Sequence, residues 1–155
     1  TLEDELKASK KFKKENKECV FCNIIEKESD GPRLILKNSK FIVFAPYASV
    51  NPLEFWIIPK RHKATLLDLP QTEIKTFAET LKTCLNGLKW IANDPPYNYG
   101  FHIAPNKEAH DYYHWHLEVY PKLAIWAGFE KSTGMYINTV TPEAAAESLR
   151  KTISS

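Results

Sequence analysis

The stretch HWHLEVYP, residues 114–121, alternates two kinds of side chain. His114, His116, Glu118 and Tyr120 occupy every second position, and the residues between them are apolar or aromatic. Strict alternation over four to eight residues is typical of a strand with one face in a core. The stretch therefore predicts a strand with two imidazoles and a carboxylate on one face of a sheet. Because side chains two apart lie roughly 6.5 to 7 Å apart, we expect the two histidines to serve different functions.

Other stretches with β-branched and aromatic residues, bounded by Pro, Asn and Ser, predict further strands. These strands are expected at 33–37, 40–45, 54–59 and around FHIA at 101–104. The segment NDPPYNYG, residues 93–100, predicts a loop because it is rich in turn residues.

Apolar residues recur at spacings of three and four after Pro70, which is typical of a helix with one buried stripe. The predicted stripe consists of Ile74, Phe77, Leu81, Cys84, Leu88 and Ile91. Thr141 followed by Pro142 predicts the start of a last helix, since proline suits the first helical turn. With a polar helix over residues 1–17, the pattern predicts an α+β domain, a mostly antiparallel sheet with one long helix packed on it.

Composition excludes several classes of protein. The chain has 155 residues, 43% of them hydrophobic and 26% charged, which fits one globular domain. The net charge is +2, and the lysines at 6–18 are interleaved with acids, so we expect a solvated helix and no nucleic-acid partner. No apolar run approaches the roughly 18 residues of a membrane span, and the charged start is unlike a signal peptide. We therefore expect no membrane partner and a cytoplasmic protein. The first residue, Thr1, is compatible with a domain excised from a longer protein.

The segment CVFC, residues 19–22, predicts a tight knuckle that leads into a short helical turn. In a reducing compartment, a C-x2-C pair favours metal or redox use over a disulfide framework. Zinc takes four sulfur or nitrogen ligands, so Cys19 and Cys22 would need two more. The candidates are His62 and one of the strand histidines. The alternative is a pair of buried thiols without a metal.

Several of these segments, in order, resemble a known superfamily. CVFCNIIEKE at 19–28, FWIIPKRH at 55–62 and HWHLEVYP resemble the histidine triad superfamily. The segments NDPPYNYGFHIAP at 93–105 and AGFEKSTGMYINTVTPEAAAESLRK at 127–151 are similar to the carboxy-terminal half of galactose-1-phosphate uridylyltransferases and related nucleotide-sugar phosphorylases. The resemblance implies a single histidine-triad-like domain over 1–155, with the polar helix at 1–18 followed by the family domain at 19–155. It also implies that the chain is either a homodimer or the partner of a missing amino-terminal half.

The resemblance implies a reaction and a set of ligands. In the superfamily a histidine attacks the α-phosphorus of a nucleotide, and the covalent nucleotidyl-histidine then passes the nucleotide to water, phosphate or a sugar phosphate. Carried onto this sequence, the Zn²⁺ ligands are Cys19, Cys22, His62 and His114. His116 takes the position of the nucleophile.

Two departures from the family pattern change this interpretation. The third triad position is Glu118, where the family has His or Gln, and a carboxylate repels phosphate. Either a cation lies between them, Glu118 is protonated, or this strand does not contact the phosphate. The His-Pro-His-x-Gln motif of the uridylyltransferases is also missing from this chain. Some family members have a second metal site in this half, so His102, His116 and Glu118 are expected to hold a second ion, zinc or iron.

The resemblance also identifies candidate substrate residues. Phe129 and Glu130 match a region that contacts sugar phosphate, and Asn106 lies where triad proteins keep an asparagine. The leading hypothesis is a carboxy-terminal zinc-binding domain of a hexose-1-phosphate uridylyltransferase-like enzyme, which transfers UMP between UDP-glucose and a hexose 1-phosphate. The alternatives are a self-sufficient nucleotide hydrolase or phosphorylase that uses His116, and a catalytically silent zinc-stabilised nucleotide-binding module.

Overall fold

The computed structural model describes residues 1–154 as five α-helices, one 3-10 helix and a five-stranded sheet. The helices are α1 (Leu2–Asn16), α2 (Val20–Glu28), α3 (Gln71–Ala92), α4 (Gly128–Thr133) and α5 (Pro142–Ile153), and the 3-10 helix is Lys107–Asp111. The strands are β1 (Leu34–Lys37), β2 (Phe41–Phe44), β3 (Phe55–Pro59), β4 (Tyr97–His102) and β5 (His116–Pro121). The predicted α+β fold is confirmed.

The sheet is antiparallel throughout, with the strand order β1-β2-β3-β5-β4. The strands predicted at 33–37, 40–45 and 54–59 are confirmed to within one residue. The loop predicted at 93–100 is wrong in its second half, because β4 begins at Tyr97. β4 is an edge strand whose side chains are mostly exposed, so its sequence lacks the apolar alternation of a half-buried strand.

One face of the sheet packs against α3 and α5. This layer includes Phe41, Val43, Phe55, Ile57, Cys84, Leu88, Leu117, Val119, Ala146 and Leu149, all buried. The prediction that Cys84 is a core residue is confirmed, since it is fully buried. Ile74 is instead 44% exposed and was wrongly placed on the stripe. The buried stripe starts at Glu73, and one residue along a helix turns the side chain by about 100°.

The other face of the sheet is covered by α1 and α2, and it is the face that β5 presents with His116, Glu118 and Tyr120. Thr1 begins α1 with a capping box to Asp4. α2 begins directly after Cys19, so Cys22 lies in the first turn of a helix and the predicted knuckle is shorter than expected. Across residues 1–154, no helix combines the length and apolar character needed to cross a membrane.

Candidate metal centres

Four predicted metal ligands meet beneath α2. Cys19, Cys22, His62 and His114 each offer one ligand atom, and these atoms lie within 4.8 Å of one another. The two cysteines come from the start of α2, His62 follows β3 by three residues, and His114 precedes β5. Segments far apart in sequence thus converge on one point, which we call the thiolate cluster.

The nitrogen atoms in the thiolate cluster are oriented for a metal. Cys22 Sγ lies 3.4 Å from His62 Nδ1 and 3.8 Å from His114 Nδ1. His62 Nε2 lies 2.8 Å from the carbonyl of His110, so Nε2 donates its proton and Nδ1 is left as a bare lone pair. Metal-bound histidines are commonly held in this way.

The charges of the thiolate cluster also suit a cation. The interaction between the two cysteine side chains lowers the pKa of Cys19 and raises the pKa of Cys22. Burial lowers the pKa of His114, whereas the interaction with Cys19 raises the pKa of His62. Two sulfurs and two imidazole nitrogens form a donor set that tetrahedral zinc prefers. The residues present therefore fit Zn²⁺.

A second cluster lies on the same strand. Glu5, His102, His116 and Glu118 also bring one ligand atom each within 4.8 Å of one another, and we call them the carboxylate cluster. The pairing of β4 with β5 places His102 opposite His116. Three of these residues were predicted from the sequence, and Glu5 on α1 was not. In the structure, Leu6 packs against the core and Ser9 is buried. Glu5 lies beside Leu6 and four residues before Ser9, so it is on the same inner face of the helix.

The contacts inside the carboxylate cluster are short. His102 Nδ1 lies 2.8 Å from Glu5 Oε2. His116 Nε2 lies 3.2 Å from Glu5 Oε1 and 3.1 Å from Glu118 Oε1. Two carboxylates therefore approach the same imidazole nitrogen from different elements. Burial raises the pKa of Glu5, but the two histidines outweigh it and lower that pKa to about 2.

His116 is the central residue of the carboxylate cluster and is completely buried. Its ring stacks on Trp56 at a centroid distance of 4.8 Å, and its Nδ1 donates to the carbonyl of His114 at 3.1 Å. Because Nδ1 already carries one proton, the ring needs a second proton on Nε2, or a cation bound there, to be stable beside two carboxylates. Burial lowers the pKa of His116, but contacts with Glu118 and Glu5 outweigh it and raise the pKa to about 9. A divalent cation could replace that proton, so two imidazoles and two carboxylates fit zinc or iron.

None of the predicted substrate residues belongs to either cluster. Asn106 accepts a hydrogen bond from the Ala109 N–H at 3.1 Å and begins the 3-10 helix. Phe129 is 49% exposed on α4. Glu130 Oε2 accepts from the Ala127 N–H at 3.0 Å, so it caps its own helix. A cavity of about 660 Å³ opens beside the carboxylate cluster, and its lining includes Glu54, Trp56, Glu118, Tyr120 and Trp126.

Comparison with known proteins places the chain in a family. Residues 5–153 match the family described as galactose-1-phosphate uridyl transferase, C-terminal domain. ADP-glucose phosphorylase from Arabidopsis thaliana is 35% identical over 97% of this chain and 43% of its own length. Galactose-1-phosphate uridylyltransferase from Thermotoga maritima is 32% identical over 97% of this chain and 50% of its own length.

Solved structures agree with the sequence relatives. The crystal structure of the Arabidopsis ADP-glucose phosphorylase with bound ADP-glucose superposes with a TM-score of 0.87 at 33% identity, over 97% of this chain and 48% of that one. A zinc-bound histidine triad family protein from Mycobacterium smegmatis has a TM-score of 0.61 at 21% identity, over 88% of this chain and 93% of that one. The second likeness shows a shared fold.

The chain spans about half the length of the curated relatives that it matches, 43% and 50% of the two above. The family match nevertheless covers nearly all of it, and its fold is that of the histidine triad proteins. The chain therefore belongs to the C-terminal domain family of galactose-1-phosphate uridyl transferases.

Proposed function

We propose that this chain is the metal-binding C-terminal domain of a hexose-1-phosphate uridylyltransferase-like enzyme, which transfers a nucleotidyl group between a nucleotide sugar and a sugar phosphate. The observation that supports this most is the state of His116, which is fully buried with Nε2 between Glu5 and Glu118. A nucleophile must reach the phosphorus that it attacks. In this proposal the nucleophilic histidine belongs to a part of the enzyme outside residues 1–155.

Cys19, Cys22, His62 and His114 would hold Zn²⁺ in the thiolate cluster. Four protein ligands leave no open position, so the ion would act as a structural cross-link and not as a Lewis acid. The protein's own contribution is to orient the ligands. The His110 carbonyl accepts from His62 Nε2 and keeps Nδ1 directed at the sulfurs.

Glu5, His102, His116 and Glu118 would hold a second ion, zinc or iron, in the carboxylate cluster. This ion would supply positive charge where the metal-free chain needs a proton on His116. Its binding would release that proton and fix α1 to the sheet through Glu5. The departure at Glu118 then has a physical reason, because its carboxylate faces a cation and not a phosphate.

Substrate contact is proposed for the exposed side of α4. Phe129 and Glu130 are exposed or half-buried and lie outside both metal clusters, so they are available to a sugar phosphate held mainly by another part of the enzyme. Asn106 remains a weaker candidate because its side chain caps the 3-10 helix. The names of the relatives support nucleotide sugars and sugar phosphates as the substrate class.

The edge strand β4 suits pairing with a second domain or a second copy. Tyr97, Tyr99 and Phe101 are 39%, 55% and 41% exposed on this strand. Unpaired sheet edges with apolar side chains commonly pair with another chain. We propose an assembly through this edge, with the missing half or as a homodimer. A cytoplasmic location is also proposed, because a reducing compartment keeps the C-x2-C pair available to zinc.

The test measures nucleotidyl adducts by intact mass after brief exposure to UDP-glucose or ADP-glucose. The 155-residue chain is compared with the longest polypeptide that its gene encodes, each as wild type and as His116→Asn. We expect an acid-labile adduct on the longer polypeptide in both forms and none on the 155-residue chain. His110→Asn, a ring outside both clusters, is the matched control. An adduct on the 155-residue chain that only His116→Asn removes would overturn the proposal and make His116 the nucleophile.

A further inference from the structure

Each carboxylate of the carboxylate cluster has a tyrosine hydroxyl bound to it. Tyr113 donates its O–H to Glu5 Oε2 at 2.9 Å, and Tyr120 donates its O–H to Glu118 Oε2 in a short hydrogen bond. In both carboxylates the other oxygen, Oε1, faces His116 Nε2, at 3.2 Å for Glu5 and 3.1 Å for Glu118. The Oε2 atoms also face His102, at 2.8 Å from its Nδ1 for Glu5 and 3.7 Å from its Nε2 for Glu118. In both carboxylates, a tyrosine therefore binds Oε2 and leaves Oε1 as the oxygen directed at His116.

We propose that Tyr113 and Tyr120 are positioning residues that make each carboxylate present one oxygen to a cation and so select zinc over ions that prefer many oxygen ligands. This inference rests on the second ion proposed above. An oxygen that already accepts a hydrogen bond from a phenol is a weaker metal ligand. Rotating the carboxylate so that both oxygens bind the ion, as a bidentate ligand, would break that hydrogen bond. Two single oxygens and two imidazole nitrogens make the four donors that zinc takes, whereas Mn²⁺ suits octahedral sites built from oxygen ligands.

The two phenols are held where they can do this. Tyr113 is fully buried, and its ring packs edge-on against Phe21 at a centroid distance of 5.3 Å. Its backbone N–H donates to the Ala109 carbonyl at 2.8 Å, which fixes the residue behind the 3-10 helix. Tyr120 lies two residues from Glu118 on β5, so both side chains project from the same face of the sheet.

A phenol carries its proton near neutral pH, so each tyrosine can act as a donor. The geometry fits this role, because each hydroxyl lies within hydrogen-bond distance of one carboxylate oxygen. Partners of metal ligands commonly change metal affinity by about 10- to 100-fold when they are removed.

The experiment titrates the metal-free 155-residue chain with Zn²⁺ against a competing chelator, and then repeats the titration with Mn²⁺. The variants are Tyr113→Phe and Tyr120→Phe, each of which removes one oxygen and keeps the ring. Tyr112→Phe is the control, because the Tyr112 hydroxyl makes no hydrogen bond with residues 1–154. Co²⁺ spectra separate the two clusters, since only the thiolate cluster gives sulfur-to-metal charge-transfer bands.

We expect wild type to bind two equivalents of Zn²⁺. Each test variant should bind the ion at the carboxylate cluster about 10- to 100-fold more weakly and lose part of its preference for Zn²⁺ over Mn²⁺. The charge-transfer bands of the thiolate cluster should not change. The shift in preference distinguishes positioning from loss of packing. If wild type binds two equivalents and both variants behave like Tyr112→Phe, the role of the tyrosines is refuted while the second site stands. If wild type binds only the thiolate equivalent, the second ion itself is refuted.

Discussion

Replacing Cys22 by Ser should remove zinc from the thiolate cluster without unfolding the chain. The substitution exchanges the sulfur that lies 3.4 Å from His62 Nδ1 and 3.8 Å from His114 Nδ1 for a hydroxyl. A serine hydroxyl keeps its proton near neutral pH, so it is a poor replacement for a thiolate ligand. His114, which is fully buried, then keeps its position through packing and through the hydrogen bond that its carbonyl accepts from His116 Nδ1.

The size of the effect follows from mass action. An ion that binds only the folded chain and is present at 1,000 times its dissociation constant stabilises that chain by about 4.1 kcal/mol. For a domain of this size, 1 kcal/mol shifts the Tm by about 2–4 °C, so the loss of zinc should lower it by about 8–16 °C. The chain should still fold, because the core under α3 and α5 includes none of the four ligands.

The assay is thermal unfolding combined with metal analysis, with and without a chelator. Cys84→Ala is the matched control, since Cys84 is buried in the opposite layer and lies in neither cluster. Any shift in its Tm should come from packing alone, and the variant should retain zinc and the response to chelator. A wild type whose Tm is unchanged on chelation would refute the structural role of zinc. A Cys22→Ser chain that still binds zinc at the thiolate cluster would refute Cys22 as a required ligand.

Three further predictions concern other parts of the chain. Leu149→Ala removes a fully buried side chain from α5 and should cost about 2–5 kcal/mol of unfolding free energy, measured by urea titration with metal content unchanged. Burial raises the pKa of Glu54 above its ordinary value of 4.5, so the folded chain binds this proton more tightly than the unfolded chain. The folded chain therefore loses stability as the pH rises from the ordinary pKa through the raised one. Glu54→Gln should therefore raise the Tm more at pH 8 than at pH 4, and an equal change at both would contradict this. Glu5→Gln should weaken the attachment of α1 and speed its cleavage in limited proteolysis, whereas Glu3→Gln, exposed on the same helix, should not.

Alternation and helical spacing were sufficient to predict most of the fold. The apolar positions of β5, Leu117 and Val119, pack in the core under α3, as a period of two requires. The end of the edge strand β4, Phe101 and His102, lies in the strand predicted around 101–104. Its first four residues escaped prediction because Tyr97 and Tyr99 face outward and the other face has Asn98 and Gly100. A strand that buries little surface has little apolar pattern to detect.

Sequence could identify those ligands of the candidate sites that lie within one short motif or one strand. Cys19 and Cys22 share one motif, and His114, His116 and Glu118 share one strand, so local spacing was informative. Glu5 was not predictable in this way, since α1 looks like a solvated helix full of lysines and acids. Only the packing of α1 on the sheet brings the Glu5 carboxylate to His102 and His116, which are about a hundred residues away in sequence.

One short segment belongs to both metal clusters. The imidazole of His114 faces the sulfurs, while the carbonyl of the same residue accepts the Nδ1 proton of His116. An ion bound at either cluster, as proposed, would restrain this shared segment and so lower the entropy cost of filling the other cluster. Because such coupling is reciprocal, filling should be cooperative, and chains with a single ion should be rarer at partial saturation than independent sites would give. The protein would then pass mainly between an empty and a fully loaded form.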